Sequence, residues 1–189
     1  VITLTASELL HASGVGARRH AQNLIAGRPD RYGAPPDWSV HIEGSCGELA
    51  AAKALNVYWP ASVDFRERQA GDLPGGIEVR TTSHAMGCLL LHPEDKDDRR
   101  YILVTGRAPS FVVVGWCRGW EGKHQQFWKD PAGGRPAFFV GQKYLRPMSE
   151  WSAPDDLRAR VEATPGIRRL VAAVDGTVES VTASRIEVP

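Results

Sequence analysis

Gly71-Asp72-Leu73-Pro74-Gly75-Gly76-Ile77-Glu78-Val79-Arg80-Thr81-Thr82 is the stretch that decides the fold. Pro74-Gly75-Gly76 is turn chemistry, and the six residues after it read as a strand. Side chains two apart on a strand share a face. Glu78, Arg80 and Thr82 therefore point one way and Ile77, Val79 and Thr81 the other. Asp72 enters on the turn, close enough to Glu78 for the two carboxylates to share a cation. Two converging carboxylates are costly unless a cation or a proton lies between them. Each residue also has a plainer reading: Asp72 as a turn former, and Glu78 with Arg80 as an exposed strand pair reaching a neighbour.

Upstream, His41 to Leu55 is the clearest helix, rich in Ala and Leu whose small side chains let it sit closely on a sheet. Ser45-x-x-Glu48 fits a capping box, yet Glu48 is also placed to join Asp72 and Glu78, and both readings stand. Glu43 is a second carboxylate at the helix entrance. Earlier still, Leu4 to Gly27 reads as two short helices separated at Gly14, with Arg18, Arg19 and His20 entering the second. That spacing suits either a helix-turn-helix or a plain helical hairpin packed on the core. Residues 28–37, with Pro29, Gly33, Pro35 and Pro36, read as a linker.

Downstream, strands are expected at 63–68, 77–82, 88–92, 101–105, 111–117 and 137–140, with the continuous apolar run Phe111 to Val114 as a central strand covered on both faces. Glu94 to Arg100 reads as a solvated turn. A short charged helix at 155–163 and a hairpin over 171–178 with an Asp175-Gly176 turn come last. The element order predicts an α+β fold, a mixed central β-sheet flanked by helices. Its parts are an N-terminal helical hairpin and loop (1–37), an α/β core (38–150), and a C-terminal helix and hairpin appendage (151–189).

Composition sets bounds. The 189 residues carry 42% apolar and 24% charged side chains and a net charge of +1, so any polyanion must be met by a local patch rather than a global field. No run approaches the ~18 apolar residues that cross a bilayer, and Val1-Ile2-Thr3-Leu4 reads without the charged start of a secretion signal. Three scattered cysteines, Cys46, Cys88 and Cys117, argue against a disulfide framework. The expectation is a cytoplasmic protein with no membrane partner. His84-x3-Cys88-x3-His92 reads as half-buried residues rather than a zinc knuckle.

Glu48 on a helix, Asp72 in a turn and Glu78-Val79-Arg80 on the next strand resemble the PD-(D/E)XK nuclease superfamily. The likeness covers roughly 43–117, and element order carries it more than the letters. It implies a restriction-endonuclease-like core and a Mg²⁺-dependent (or Mn²⁺-dependent) hydrolase of DNA phosphodiester bonds. The resemblance assigns metal binding to Asp72, Glu78 and the Val79 carbonyl, water or second-ion orientation to Glu48, and charge stabilisation to Arg80. The catalytic set it implies is Glu48, Asp72, Glu78 and Arg80. Many such enzymes act as symmetric dimers, so a homodimer is a further expectation. This chain departs from the family at Arg80, where Lys is usual. Arginine stays charged and only donates hydrogen bonds, whereas lysine can shuttle a proton. The alternative is a non-catalytic nucleic-acid-binding or assembly module on a degenerate nuclease fold. Gly115-Trp116 and Leu145-Arg146-Pro147-Met148 also look like segments of small bacterial or phage proteins.

Trp116, Arg118, Trp120, Lys123, His124, Phe127, Trp128, Lys129 and Arg135 interleave aromatics with cations, a pattern that suits a groove tracking a nucleic-acid backbone. Arg118, Lys123 and Lys129 are the expected contacts. The plainer reading has the tryptophans closing a core while the cations face water. His84 reads as a loop histidine near the site. No GxxxxGK[ST] phosphate loop, GxSxG elbow or GxGxxG turn is present.

Overall fold

The computed structural model describes residues 1–27, 37–64, 70–131 and 133–152. The chain divides into two units after Trp151, and the unit Val1–Trp151 contains all the described helices and strands. The expected helix at 155–163, the hairpin at 171–178 and all of the expected linker at 28–37 except Asp37 lie outside the described residues.

Strand β1 (Ile2–Thr3) leads to helix α1 (Ala6–Ile25). Thr5 caps α1 through its hydroxyl, which accepts the Glu8 amide at 3.3 Å, while the Glu8 carboxylate accepts the Thr5 amide at 2.6 Å. The helix then runs unbroken for 20 residues through Gly14 and Gly16, so the expected pair of short helices is one. A glycine inside a helix costs only about 1 kcal/mol relative to alanine, and Gly16 has a packing reason. A Cβ there would come within 2.5 Å of the His41 carbonyl oxygen. It marks where α1 crosses helix α2 (Trp38–Leu55), not a turn. Arg19 and His20 are buried against α2, whereas Arg18 is exposed.

Asp37 caps α2, accepting the Ser39 amide at 2.8 Å. The helix thus starts three residues earlier than expected, and Asn56 in the left-handed conformation (φ 52°) ends it. Ser45 therefore lies in mid-helix, where its hydroxyl donates to the His41 carbonyl at 2.9 Å. Ser45-x-x-Glu48 is not a cap.

The main sheet has the order β1-β5-β4-β2, with β2 (Ile77–Thr82), β4 (Arg100–Arg107) and β5 (Ser110–Arg118). β2 runs parallel to β4, while β5 is antiparallel to β4 and to β1. A smaller antiparallel sheet, β3-β7-β6, is built from β3 (Leu89–Leu91), β6 (Trp128–Lys129) and β7 (Ala137–Val140). Helix α3 (Gly119–Gly122) comes directly after β5. Val63 and Asp64, expected to open a strand, are irregular, and 65–69 lie outside the described residues. The mixed sheet with its helices makes the chain α+β.

Two cores lie on the two faces of the main sheet. Ile77, Val79, Ile102 and Val104 pack under α2 with Cys46, Ala50 and Ala51. Tyr101, Leu103 and Cys117 pack on the other face with Leu89, Leu91 and Val140 of the small sheet. The strand covered on both faces is therefore β4, not β5. Val112 in the apolar run of β5 is 43% exposed, because a run of apolar residues stays dry only where an element crosses each side. Gly47 brings α2 onto β2, since a Cβ there would overlap the Thr81 side chain. Among the described residues, no helix is long and apolar enough to cross a membrane.

Candidate functional site

The turn before β2 folds back on the strand. Gly75 and Gly76 take positive φ (79° and 69°), a region that side chains disfavour, and the Leu73 amide donates to the Ile77 carbonyl at 3.1 Å. Asp72 is thereby laid along the open edge of β2, and its Oδ2 accepts the Val79 amide at 2.8 Å. The N–H and C=O of one extended residue point to the same edge, so the Val79 carbonyl also faces this side. A side chain that takes up an edge amide also blunts the edge against further strand pairing.

Glu78 and Arg80 face away from α2. The parallel register sets them beside Tyr101 and Leu103, residues of the second core. Glu78 is ion-paired through Oε1 with Arg99, and its Oε2 accepts from Arg80 Nη1 at 3.4 Å. Arg80 also donates Nη2 to Asp95 at 3.0 Å and lies 5.3 Å from the centre of the Tyr101 ring. Asp95 is held in turn by the His92 amide at 2.9 Å. Burial, and then the Asp72 charge, push the Glu78 carboxyl above its usual range. Burial opposes charge on Arg80, but Asp95, Glu78 and Asp72 together raise its pKa.

Glu48 comes from the α2 side. It is 6% exposed, and Arg19 of α1 grips it with two hydrogen bonds, Nη1 to Oε1 at 2.5 Å and Nη2 to Oε2 at 2.9 Å. Trp59 Nε1 donates to the same carboxylate at 3.2 Å, while Arg19 Nε is spent on the Ser62 carbonyl at 2.8 Å. Burial, followed by the Asp72 charge, raises the Glu48 pKa to about 7 against the pull of Arg19. Asp72 thus acts electrostatically on both glutamates from the sheet edge, with Glu48 on one side of β2 and Glu78 on the other. An open cleft of about 530 Å³ adjoins this edge, lined among others by Glu43, Glu48, Val79, Thr82, His84 and Arg107. Glu43 Oε2 accepts the Ala108 amide at 3.1 Å, and His84 is exposed just past β2.

Among the described residues, no group of three His, Cys, Asp or Glu is arranged to hold a metal ion. Asp72 and Glu78 fit a magnesium ion in donor chemistry. Such an ion commonly takes one or two carboxylates and completes its shell with waters and substrate phosphates. Arg99 now stands at the Glu78 oxygen that the ion would need. Glu48 has both oxygens occupied and holds its place through Arg19.

Sequence reasoning named Glu48, Asp72, Glu78 and Arg80, and missed Arg19, Trp59, Asp95 and Arg99. The stretch from Glu94 to Arg100 is a turn, as expected, with Glu94, Lys96, Asp97 and Asp98 exposed, but it is more than solvated surface. It delivers Asp95 to Arg80 and Arg99 to Glu78, and Arg100 lies 5.4 Å from the Trp116 ring and 5.2 Å from the Trp151 ring. The expected contacts Arg118, Lys123 and Lys129 are not gathered here. Lys123 bonds the carbonyls of Pro93 (3.0 Å) and Asp95 and the Asp97 carboxylate (2.8 Å), so it staples the turn that carries Asp95. Arg118 ends β5, its amide donating to Glu121 at 2.8 Å. Lys129 is exposed on β6. No protein-family model, curated protein or solved structure matches the chain.

Proposed function

We propose that the chain is a Mg²⁺-dependent nuclease of the PD-(D/E)XK type, with a restriction-endonuclease-like core, acting on DNA at the edge of β2. The observation that carries this reading is Asp72. It is pinned to the Val79 amide and raises the pKa of both Glu48 and Glu78. Negative charge held together in a half-dry site invites a cation. Asp72, Glu78 and the Val79 carbonyl would hold the ion. Magnesium, when bound, supplies the charge that polarises a phosphate and acidifies a coordinated water. The rest falls to the chain. Arg80, braced by Asp95 and the Tyr101 ring, stays cationic and donates to phosphate oxygens as charge grows on them. It takes no proton, where a lysine could. Arg19 and Trp59 fix Glu48 so that its charge bears on Asp72 without drifting into the site. The cleft beside Val79 and Arg107 gives the DNA backbone a place to lie.

A non-catalytic nucleic-acid-binding module is the second reading, favoured by the two arginines that already occupy the oxygens of Glu78. The test is cleavage of plasmid and single-stranded DNA with Mg²⁺ or Mn²⁺ by the native chain, Asp72→Ala and Glu78→Ala. Nuclease action predicts cleavage by the native chain and a loss of at least about 100-fold in either variant. Equal cleavage by all three would refute the site. Retention of DNA on a gel with no cleavage would select the binding module.

A further inference from the structure

The outer face of the small sheet carries a second cleft of about 390 Å³, lined among others by Gln126, Phe127, Lys129, Phe139, Lys143 and Tyr144. Phe138 and Val140 of β7 point into the core between the sheets, so Phe139 between them faces outward. Tyr144 is 51% exposed and meets Phe127 edge to face, with ring centres 5.0 Å apart. Lys143 Nζ lies 4.8 Å from the Tyr144 ring centre. Lys129 and Lys143 are both exposed, and among the described residues neither is paired with a carboxylate. Among the described residues no acid lines the cleft.

We infer that this cleft binds an unstacked nucleotide of single-stranded DNA, away from the β2 edge. The inference rests on the nucleic-acid reading above and adds where a strand is held. A base lies against the half-exposed Tyr144 ring, as aromatic platforms accept any base through its π-face. Lys143 leaves the ring for a phosphate oxygen, and Lys129 takes the neighbouring phosphate. Two cations without acids beside exposed aromatic surface complement a chain of alternating phosphates and bases. A duplex keeps its bases stacked and gains only the charge contacts.

The test is fluorescence anisotropy with a labelled oligothymidylate of about fifteen nucleotides, in EDTA so that no cleavage intervenes. Tyr144→Ala is expected to weaken binding by about 5- to 150-fold, while Tyr144→Phe binds as the native chain does. Lys129→Ala/Lys143→Ala is expected to lower the slope of log affinity against log salt by about 1.4, two phosphate contacts on a single strand. Duplex affinity should respond to the lysine variant and not to Tyr144→Ala. Circular dichroism confirms that each variant is folded, and the lysine and Tyr144→Phe variants keep the outcome readable if Tyr144→Ala is not. Absence of strand binding by the native chain, or native affinity and slope in the lysine variant, would overturn the inference. A chain that binds as described but never cleaves with Mg²⁺ would sink the nuclease reading alone. A chain that cleaves, but whose cleft variants bind as the native does, would sink this inference alone.

Discussion

Replacing Arg19 with leucine strips the Glu48 carboxylate of the guanidinium that grips both its oxygens, at 2.5 and 2.9 Å. Each partner has a side chain under a tenth exposed, so water cannot take over. Breaking a buried pair by removing one partner typically costs about 3–5 kcal/mol. A unit of this size loses about 2–4 °C in Tm per kcal/mol, so the expected fall is about 6–20 °C. The loss also has a pH signature. Glu48 already titrates at about 7, above its unfolded value of 4.5. A carboxyl raised on folding contributes stability that is fully present below the unfolded pKa and lost as pH climbs through the folded one. Removing Arg19 removes a cause that lowers the Glu48 pKa, so the folded value rises further and the deficit widens between pH 5 and pH 8. Thermal unfolding followed by circular dichroism at both pH values measures it, with Arg19→Leu/Glu48→Leu as the control that removes both charges. The double variant should recover most of the loss, since a buried pair replaced by apolar groups is often neutral. A single variant that melts within about 2 °C of the native chain, or a deficit that shrinks as pH rises, would mean that Arg19 does not hold Glu48 charged.

Asp72→Asn keeps an oxygen for the Val79 amide but removes the charge that raises Glu48 and Glu78. In EDTA, carboxyl NMR titration should show both glutamates shifting down; unmoved titrations would count against the coupling. Lys123→Met releases the turn that positions Asp95 and should cost about 1–3 kcal/mol in chemical denaturation. It should leave the salt slope of DNA binding unchanged, and a slope reduced by about one would show that Lys123 meets phosphate after all.

The local parts of the fold were legible where one residue type decides the conformation. The extent of β2 comes from the Pro74-Gly75-Gly76 turn and the strand-forming residues after it. The Ala-rich α2 is visible from composition, while its true start waits on the cap at Asp37. Gly14 misled, because a glycine that permits a turn also permits a close helix crossing, and the sequence does not say which; the crossing is made by its neighbour Gly16. The site was half legible. Asp72, Glu78 and Arg80 lie within nine residues, so turn and strand geometry place them. Arg19, Trp59, Asp95 and Arg99 arrive through tertiary packing, and nothing in their local sequence marks them. Lys123 shows the same limit: a lysine among aromatics suggests a polyanion contact, yet the Asp95 carbonyl and Asp97 carboxylate that capture it lie 28 and 26 residues earlier.

The proposed nuclease site stands or falls on whether Asp72 and Glu78 share a divalent cation that displaces Arg99. Mn²⁺ binding, counted by electron paramagnetic resonance of the free ion, tests this without requiring cleavage. A shared cation predicts one tight ion per native chain, its loss in Asp72→Asn/Glu78→Gln, and tighter binding in Arg99→Gln, where the competing guanidinium is gone. No bound ion in either the native chain or Arg99→Gln, or equal binding by the native chain and the double variant, would contradict it.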